Sequence, residues 1–128
     1  MQEKDLFEYA VIRVVPRVER EEFLNVGVIL YCARQKFLQA ICELDVSRLY
    51  ALSGKDADVE EIKHNLRSII KIAEGGKAGG PIGELDMPSR FRWLTATRST
   101  VVQTSKVHPG FCSDAGETLN RLYSQLVL

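Results

Sequence analysis

A near-continuous apolar region between Phe7 and Leu44 limits the possible folds of this chain more than any other segment. Val, Ile, Phe and Tyr dominate it, and these residue types favour a pleated, half-buried sheet surface. Short polar interruptions divide the region into three runs, 7–15, 23–32 and 37–44, a pattern typical of successive strands joined by turns. The interruptions are too short for a crossover helix, so neighbouring strands should pair antiparallel. The region therefore predicts a three-stranded antiparallel meander against which the later segments pack.

The register of the second hairpin follows from its turn. A two-residue loop at Arg34 and Gln35 places Cys32 opposite Phe37, and a slip by one residue would exchange the two faces. One face is then wholly apolar: Gly27, Ile29, Tyr31, Leu38, Ala40, Cys42 and Leu44. The other face is mixed: Val26, Val28, Leu30, Ile41, Gln39 and Glu43.

Helical periodicity begins after the meander. Residues 45–53 predict a short helix or turn, and apolar residues at helical spacing predict a long amphipathic helix over 59–73, with Asp56 as its N-cap and Gly75-Gly76 as its stop. A last helix should begin at Ser113 or Asp114, with an apolar stripe through Leu119, Leu122, Tyr123, Leu126 and Val127.

The region between these helices is less regular. Residues 75–88 are rich in Gly and Pro and predict a mobile surface loop. Residues 91–94 and 99–105 are interpreted as strands, and residues 107–110 as a turn. The order βββ-α-α-ββ-α predicts an α+β two-layer sandwich, a mainly antiparallel sheet of about five strands with helices on one face.

Composition narrows the class of protein. A chain of 128 residues fits one domain, 1–128, with 17 basic and 17 acidic side chains, so no net field draws it to nucleic acid or membranes. Neither a signal peptide nor a membrane-spanning run is evident, which predicts a cytoplasmic protein. The three cysteines are interpreted as reduced, buried thiols. The sequence contains neither a Cys-x-x-Cys pattern nor paired histidines, so no metal site is predicted. No cofactor is expected either.

Three stretches carry a resemblance: 9–20 (YAVIRVVPRVER), 23–32 (FLNVGVILYC) and 98–103 (RSTVVQ), the last followed by Val107-His108. Together they resemble the bacterial family known as domain of unknown function 3037. The resemblance implies a small intracellular protein without an established activity. Members often lie beside a toxin-type Ser/Thr kinase-like protein, which implies a regulatory role and a kinase-like partner. The family's characteristic positions stand here as Arg13, Pro16, Arg17, Glu22, Asn25, Gly27, Arg98, Ser99 and His108.

A candidate anion site follows from the polar residues in these stretches. Arg13 is a charge in a run that is apolar on both faces, and Arg98 to Thr100 lie in a segment without acids, 87–113. Guanidinium, hydroxyl and imidazole groups could donate together to a phosphate-bearing ligand. The candidate residues are Arg13, Arg17, Asn25, Arg98, Ser99, Thr100 and His108. Alternatively, Arg13 pairs inside the fold with Glu22 or Glu43, because buried charges are nearly always paired.

Two further functions stay open at this point. A small enzyme acting on a phosphorylated or nucleotide substrate would need His108 as its base, with Cys112 or Ser99 nearby. A nucleic-acid-binding module would use the basic and aromatic residues of 87–113, although four basic residues are few for that purpose. The sequence favours a non-catalytic binding or regulatory module that recognises an anionic ligand or a partner protein.

Overall fold

A computed structural model describes residues 4–17, 20, 22–96, 98 and 100–128. Its strands are β1 (Asp5–Val14), β2 (Leu24–Cys32), β3 (Phe37–Cys42), β4 (Val102–Thr104) and β5 (His108–Cys112). Its helices are α1 (Val46–Ser53), α2 (Val59–Glu74), α3 (Gly80–Gly83), α4 (Met87–Leu94) and α5 (Ala115–Leu126). These elements form an antiparallel sheet with packed helices, which confirms the predicted α+β class.

Strand β1 is the centre of the sheet. It pairs with β2 on one side, and β2 pairs with β3, all antiparallel. On its other side β1 pairs with β4 and then with β5, which lie end to end along it. Cys32 lies opposite Phe37, so the predicted register of the second hairpin is confirmed. A Cβ on Gly27 would collide with Cys42 and the Ile41 carbonyl, so only glycine permits this approach of β2 to β3.

An irregularity separates β4 from β5. Ile12 pairs with Thr104, whereas Tyr9 pairs with His108. The segment that joins β4 to β5 therefore holds one residue more between these two pairs than β1 does. Ser105 occupies the gap: its Oγ accepts from Val11 N at 2.8 Å, and its own N–H donates to the Val11 carbonyl at 2.8 Å. A side-chain oxygen therefore replaces a ladder carbonyl where the bulge interrupts it.

The sheet is covered on both faces. Helices α2 and α4 pack through Ile62, Leu66 and Phe91 against Ile12, Val14 and Ile29. The opposite face buries Phe7, Val28, Leu30 and Cys32 against α5, through Ala115 and Leu119. Helix α5 thus lies across the sheet from α2, whereas the sequence predicted helices on one face. The reason is that both faces of β2 are apolar, so each requires a cover.

Helix boundaries follow their caps. The N-cap of α2 is Asp58, two residues after the predicted position, and it accepts from Glu61 N at 3.1 Å; Asp114 caps α5 by accepting from Glu117 N at 3.0 Å. Residues 77–83 form short helical turns. The mobility expected of 75–88 stays a prediction.

Two predicted elements between Phe91 and Gly110 are wrong. Residues 91–94 belong to helix α4, which Asp86 caps by accepting from Ser89 N at 2.8 Å. Residues 108–110 lie in strand β5, where a turn was expected. Alternating Arg and aromatic residues over only four positions match a helix as well as a strand, and the start of α4 at Asp86-Met87-Pro88 decides between them.

Candidate functional site

Arg13 is held on the α5 side of the sheet. It alternates in β1 with Ile12 and Val14, which enter the opposite core. Its guanidinium carbon lies 4.1 Å from the centroid of the Phe23 ring, a cation–π contact. The side chain is half-buried, and its Nε is buried without a hydrogen-bond partner. The arginine is therefore fixed by stacking while donor capacity stays unused.

A bulge in β2 brings Asn25 beside Arg13. Ile12 pairs with Gly27, but Arg13 pairs with Asn25, so Val26 is the extra residue and packs into the α2 core. This differs from the expectation that Val26 shares a face with Val28. Asn25 Nδ2 donates to the Leu126 carbonyl at the end of α5, 3.1 Å away, while its Oδ1 is buried without a partner. An unused donor and an unused acceptor thus lie on neighbouring residues.

The expected internal ion pair of Arg13 does not form among the described residues. Glu22 binds Arg20, with Nε and Oε1 2.7 Å apart. Neither Glu43 nor any other carboxylate in the described ranges forms an ion pair with Arg13. The positive charge of Arg13 is therefore compensated only by the π-face of Phe23 within this part of the chain.

Arg98 and Thr100 lie on the other side of the sheet. The Arg98 guanidinium stacks on the Trp93 indole at 4.3 Å and donates to the carbonyls of Leu94, at 3.5 Å, and Trp93. Thr100 Oγ1 donates to the Val102 carbonyl at 2.8 Å. Both residues line a groove against α2. Ser99, the residue between them, lies outside the described residues.

Arg17 and His108 belong to neither pair. Arg17 is exposed and lines a shallow cavity beside the end of α1, with Arg20, Leu52 and Ser53. His108 is exposed on β5 and its ring lies 5.3 Å from that of its cross-strand partner Tyr9. Tyr9 precedes Arg13 by four strand residues, a separation of about 13 Å. The described candidate residues therefore do not form one site. Arg13 lies beside Asn25, Arg98 and Thr100 line a common groove, and Arg17 and His108 each lie elsewhere.

Cys42 and Cys112 are poor nucleophiles. Burial raises the pKa of Cys42 to about 11. Burial and the neighbouring Cys32 raise the pKa of Cys112. Cys112 also follows His108 by four residues in β5, about 13 Å along the strand. With raised pKa values, these two cysteines are thiols at neutral pH. They react poorly as nucleophiles because the thiolate is the reactive form. The described ranges contain no cluster of three or more His, Cys, Asp or Glu side chains suited to a metal ion.

Helix α4 buries some of the basic and aromatic residues of the acid-free segment, 87–113, and leaves others exposed. Arg90 is buried, and its Nη1 donates to the carbonyls of Ile72 and Ala73 at 3.0 and 2.9 Å. Phe91 is in the core, 4% exposed, while Trp93 is 41% exposed. Arg90 and Phe91 are therefore unavailable to a nucleic acid, and Arg92, Trp93, Arg98 and Lys106 remain accessible.

The sequence analysis did not identify the two aromatic residues, Phe23 and Trp93, that contact the candidate arginines. Phe23 precedes β2 and gave no signal, because its contact with Arg13 depends on how the chain returns after β1. Trp93 was noted only as an aromatic in a strand. Its five-residue separation from Arg98 could have indicated a helix-capping arginine stacked on the preceding turn.

Comparisons with known proteins identify a family. A membrane-spanning helix would need a longer apolar run than any helix in the described ranges provides. No curated protein matches the chain significantly, and no solved structure does. The model of the family described as Protein of unknown function (DUF3037) matches residues 9–127. That match includes β1 from Tyr9 onward, all the later strands and all five helices. The resemblance noted in the sequence is confirmed, and the chain belongs to the DUF3037 family.

Proposed function

We propose that this protein is a non-catalytic binding module that receives an anionic group at Arg13. The group would be the phosphate of a small ligand or of a phosphorylated partner protein. The observation that carries the proposal is the state of the Arg13 guanidinium, which is half-buried, stacked on Phe23 and without a described carboxylate partner. A partly desolvated charge is costly unless an anion meets it.

The chemistry at Arg13 suits a phosphate oxygen. A guanidinium presents a rigid fork of N–H donors that matches phosphate and carboxylate geometry. Phe23 covers one face of that fork and orients it. The unpartnered Asn25 Oδ1 adds an acceptor, which a protonated phosphate oxygen or a bridging water can satisfy.

Binding is favoured over catalysis by the separation of reactive groups. Cys42 and Cys112 are protonated thiols at neutral pH because burial raises the pKa of each. His108 contacts the ring of its cross-strand partner Tyr9, which lies about 13 Å along β1 from Arg13. We place the module in the bacterial cytoplasm, where a kinase-like protein is the candidate partner that the family resemblance suggests.

Thermal unfolding with and without phosphate tests the proposal. In the parent protein, 10 mM phosphate should raise the unfolding temperature relative to chloride at matched ionic strength. A dissociation constant of about 1 mM would give about 1.4 kcal/mol of stabilisation. Arg13→Gln should retain nearly the parent stability in chloride and lose the phosphate effect. Arg121→Gln, an exposed substitution on α5, is the matched control and should keep the effect.

One result would show that Arg13 has an internal structural role instead. If Arg13→Gln costs about 3 to 5 kcal/mol, the loss typical of breaking a buried charge pair, and phosphate does not stabilise the parent, the anion site is refuted. An equal phosphate effect in the parent and in Arg13→Gln would also refute it, because the ion would then bind elsewhere.

A further inference from the structure

A groove runs along α2 on the face of the sheet opposite Arg13. It consists of two adjoining cavities of about 130 and 250 Å³, which share Asn65. Ile62, Ile69, Ile72 and Val102 contribute apolar surface to it. The 100–102 segment forms the second wall, where Val101 is 39% exposed. The groove therefore combines an apolar floor with open access from solvent.

The two ends of the groove carry opposite charge. Asp58 and Glu61 line the end near the start of α2, and Arg98 lines the other end beside Trp93. Asp58 uses Oδ1 to cap α2, and Glu61 forms no ion pair with a described residue. From Asp58 to Ile72 the helix rises about 21 Å, the length of about six residues of extended chain.

Asn65 lies between the charged ends of the groove. It is half-buried, and no described residue accepts from or donates to its carboxamide. A carboxamide offers one acceptor and two donors, so it can pair with the N–H and C=O of an extended main chain. At the cationic end, stacking on Trp93 and a hydrogen bond to the Trp93 carbonyl already restrict Arg98. Binding there would cost little additional side-chain entropy.

We propose that this groove binds an extended peptide segment of a partner protein, about six residues long. The segment carries a basic residue at the Asp58–Glu61 end, apolar side chains over Ile69 and Ile72, and an acidic residue at Arg98. Charge complementarity at both ends identifies the occupant. The site is separate from the anion site at Arg13 and does not depend on it.

Tryptophan fluorescence provides a local readout, because Trp93 is the sole tryptophan of the chain and borders the groove. The probe is a pool of end-capped hexapeptides with lysine at one end, glutamate at the other and apolar residues between. Two control pools carry lysine at both ends or glutamate at both ends. The mixed-charge pool should change the emission of Trp93 saturably, at least about tenfold more tightly than either control.

Matched variants then locate the binding. Arg98→Gln should weaken binding of the mixed-charge pool about tenfold, because it removes a charged hydrogen-bond donor. Arg92→Gln, an exposed arginine on α4, should leave binding unchanged. Ser68→Leu should block the groove, since Ser68 lines it. Circular dichroism checks the fold of each variant, and Asn65→Leu replaces Ser68→Leu if that variant does not fold.

Three outcomes would overturn the proposal. The first is no saturable change of Trp93 emission with the mixed-charge pool at about 1 mM, the weak limit for a useful interaction. The second is equal binding of all three pools, which would show that charge order is not recognised. The third is tight binding of a single-stranded oligonucleotide that Arg98→Gln weakens and Ser68→Leu leaves intact, which would assign Trp93 and Arg98 to base stacking and phosphate contact.

Discussion

Replacing Arg90 by methionine should destabilise the fold by about 3 to 5 kcal/mol. The Arg90 side chain is 8% exposed, and its Nη1 donates to Ile72 and Ala73 carbonyls in the last turn of α2. Carbonyls at the end of a helix lack partners within it, and they form the negative end of its dipole. Hydrogen bonds to a charged group contribute about 1.5 to 3 kcal/mol each. Methionine would bury apolar surface in compensation but would leave both carbonyls unpaired.

Urea unfolding measures this loss as a decrease in midpoint at constant slope. Arg92→Met is the matched control, because Arg92 is exposed two residues further along α4. It should change stability by less than about 0.5 kcal/mol. A loss below about 1 kcal/mol in Arg90→Met, or equal losses in the two variants, would refute the capping role.

Gly75 lies directly against the Arg90 guanidinium. It has φ +84°, and a Cβ there would overlap Arg90 Nη1. Because ψ is 169°, this conformation is open essentially to glycine alone, and Gly75→Ala should cost more than the roughly 1 to 3 kcal/mol of backbone strain by itself. In the Arg90→Met background the clash is relieved, so the two losses should not add. Additive losses would show that the two residues act independently.

Three further outcomes are expected. Leu66→Ala should cost about 2 to 5 kcal/mol in urea unfolding, because Leu66 is buried under the sheet, whereas exposed Arg67→Ala should cost less than about 0.5 kcal/mol. Ser105→Ala should cost about 1 to 3 kcal/mol by the same measurement, because Val11 N–H loses its buried acceptor. Burial raises the pKa of Cys42 from 9.0 to about 11, so stability should fall as pH rises from 9 to 11, since only the unfolded thiol ionises there. Cys42→Ala should show a smaller fall.

Much of the sheet could be predicted from the sequence because its signals are local. The runs in 7–44 contain the residue types of buried strands, and the short hairpin loop sets the pairing of Cys32 with Phe37. The long helix was also predictable, because apolar residues at helical spacing mark one buried stripe. Where the local pattern was short the prediction failed, as at 91–94, where four residues fit two periodicities.

The candidate site depended on tertiary structure. Asn25 lies beside Arg13 only because the bulge at Val26 shifts the pairing by one residue, and no residue type in that stretch demands a bulge. Arg90, Arg92 and Arg98 lie close together in the acid-free segment. In the fold, one is buried as a helix cap, one is exposed, and one stacks on Trp93.

The family, the α+β class, the antiparallel meander and the main helix were all predictable without coordinates, because periodicity and turn chemistry act over a few neighbouring residues. Two features required the folded structure: α5 covers the face opposite α2, and Arg13 and Arg98 lie on different sides of the sheet. The side that a helix covers depends on long-range burial of apolar surface, which local spacing does not encode.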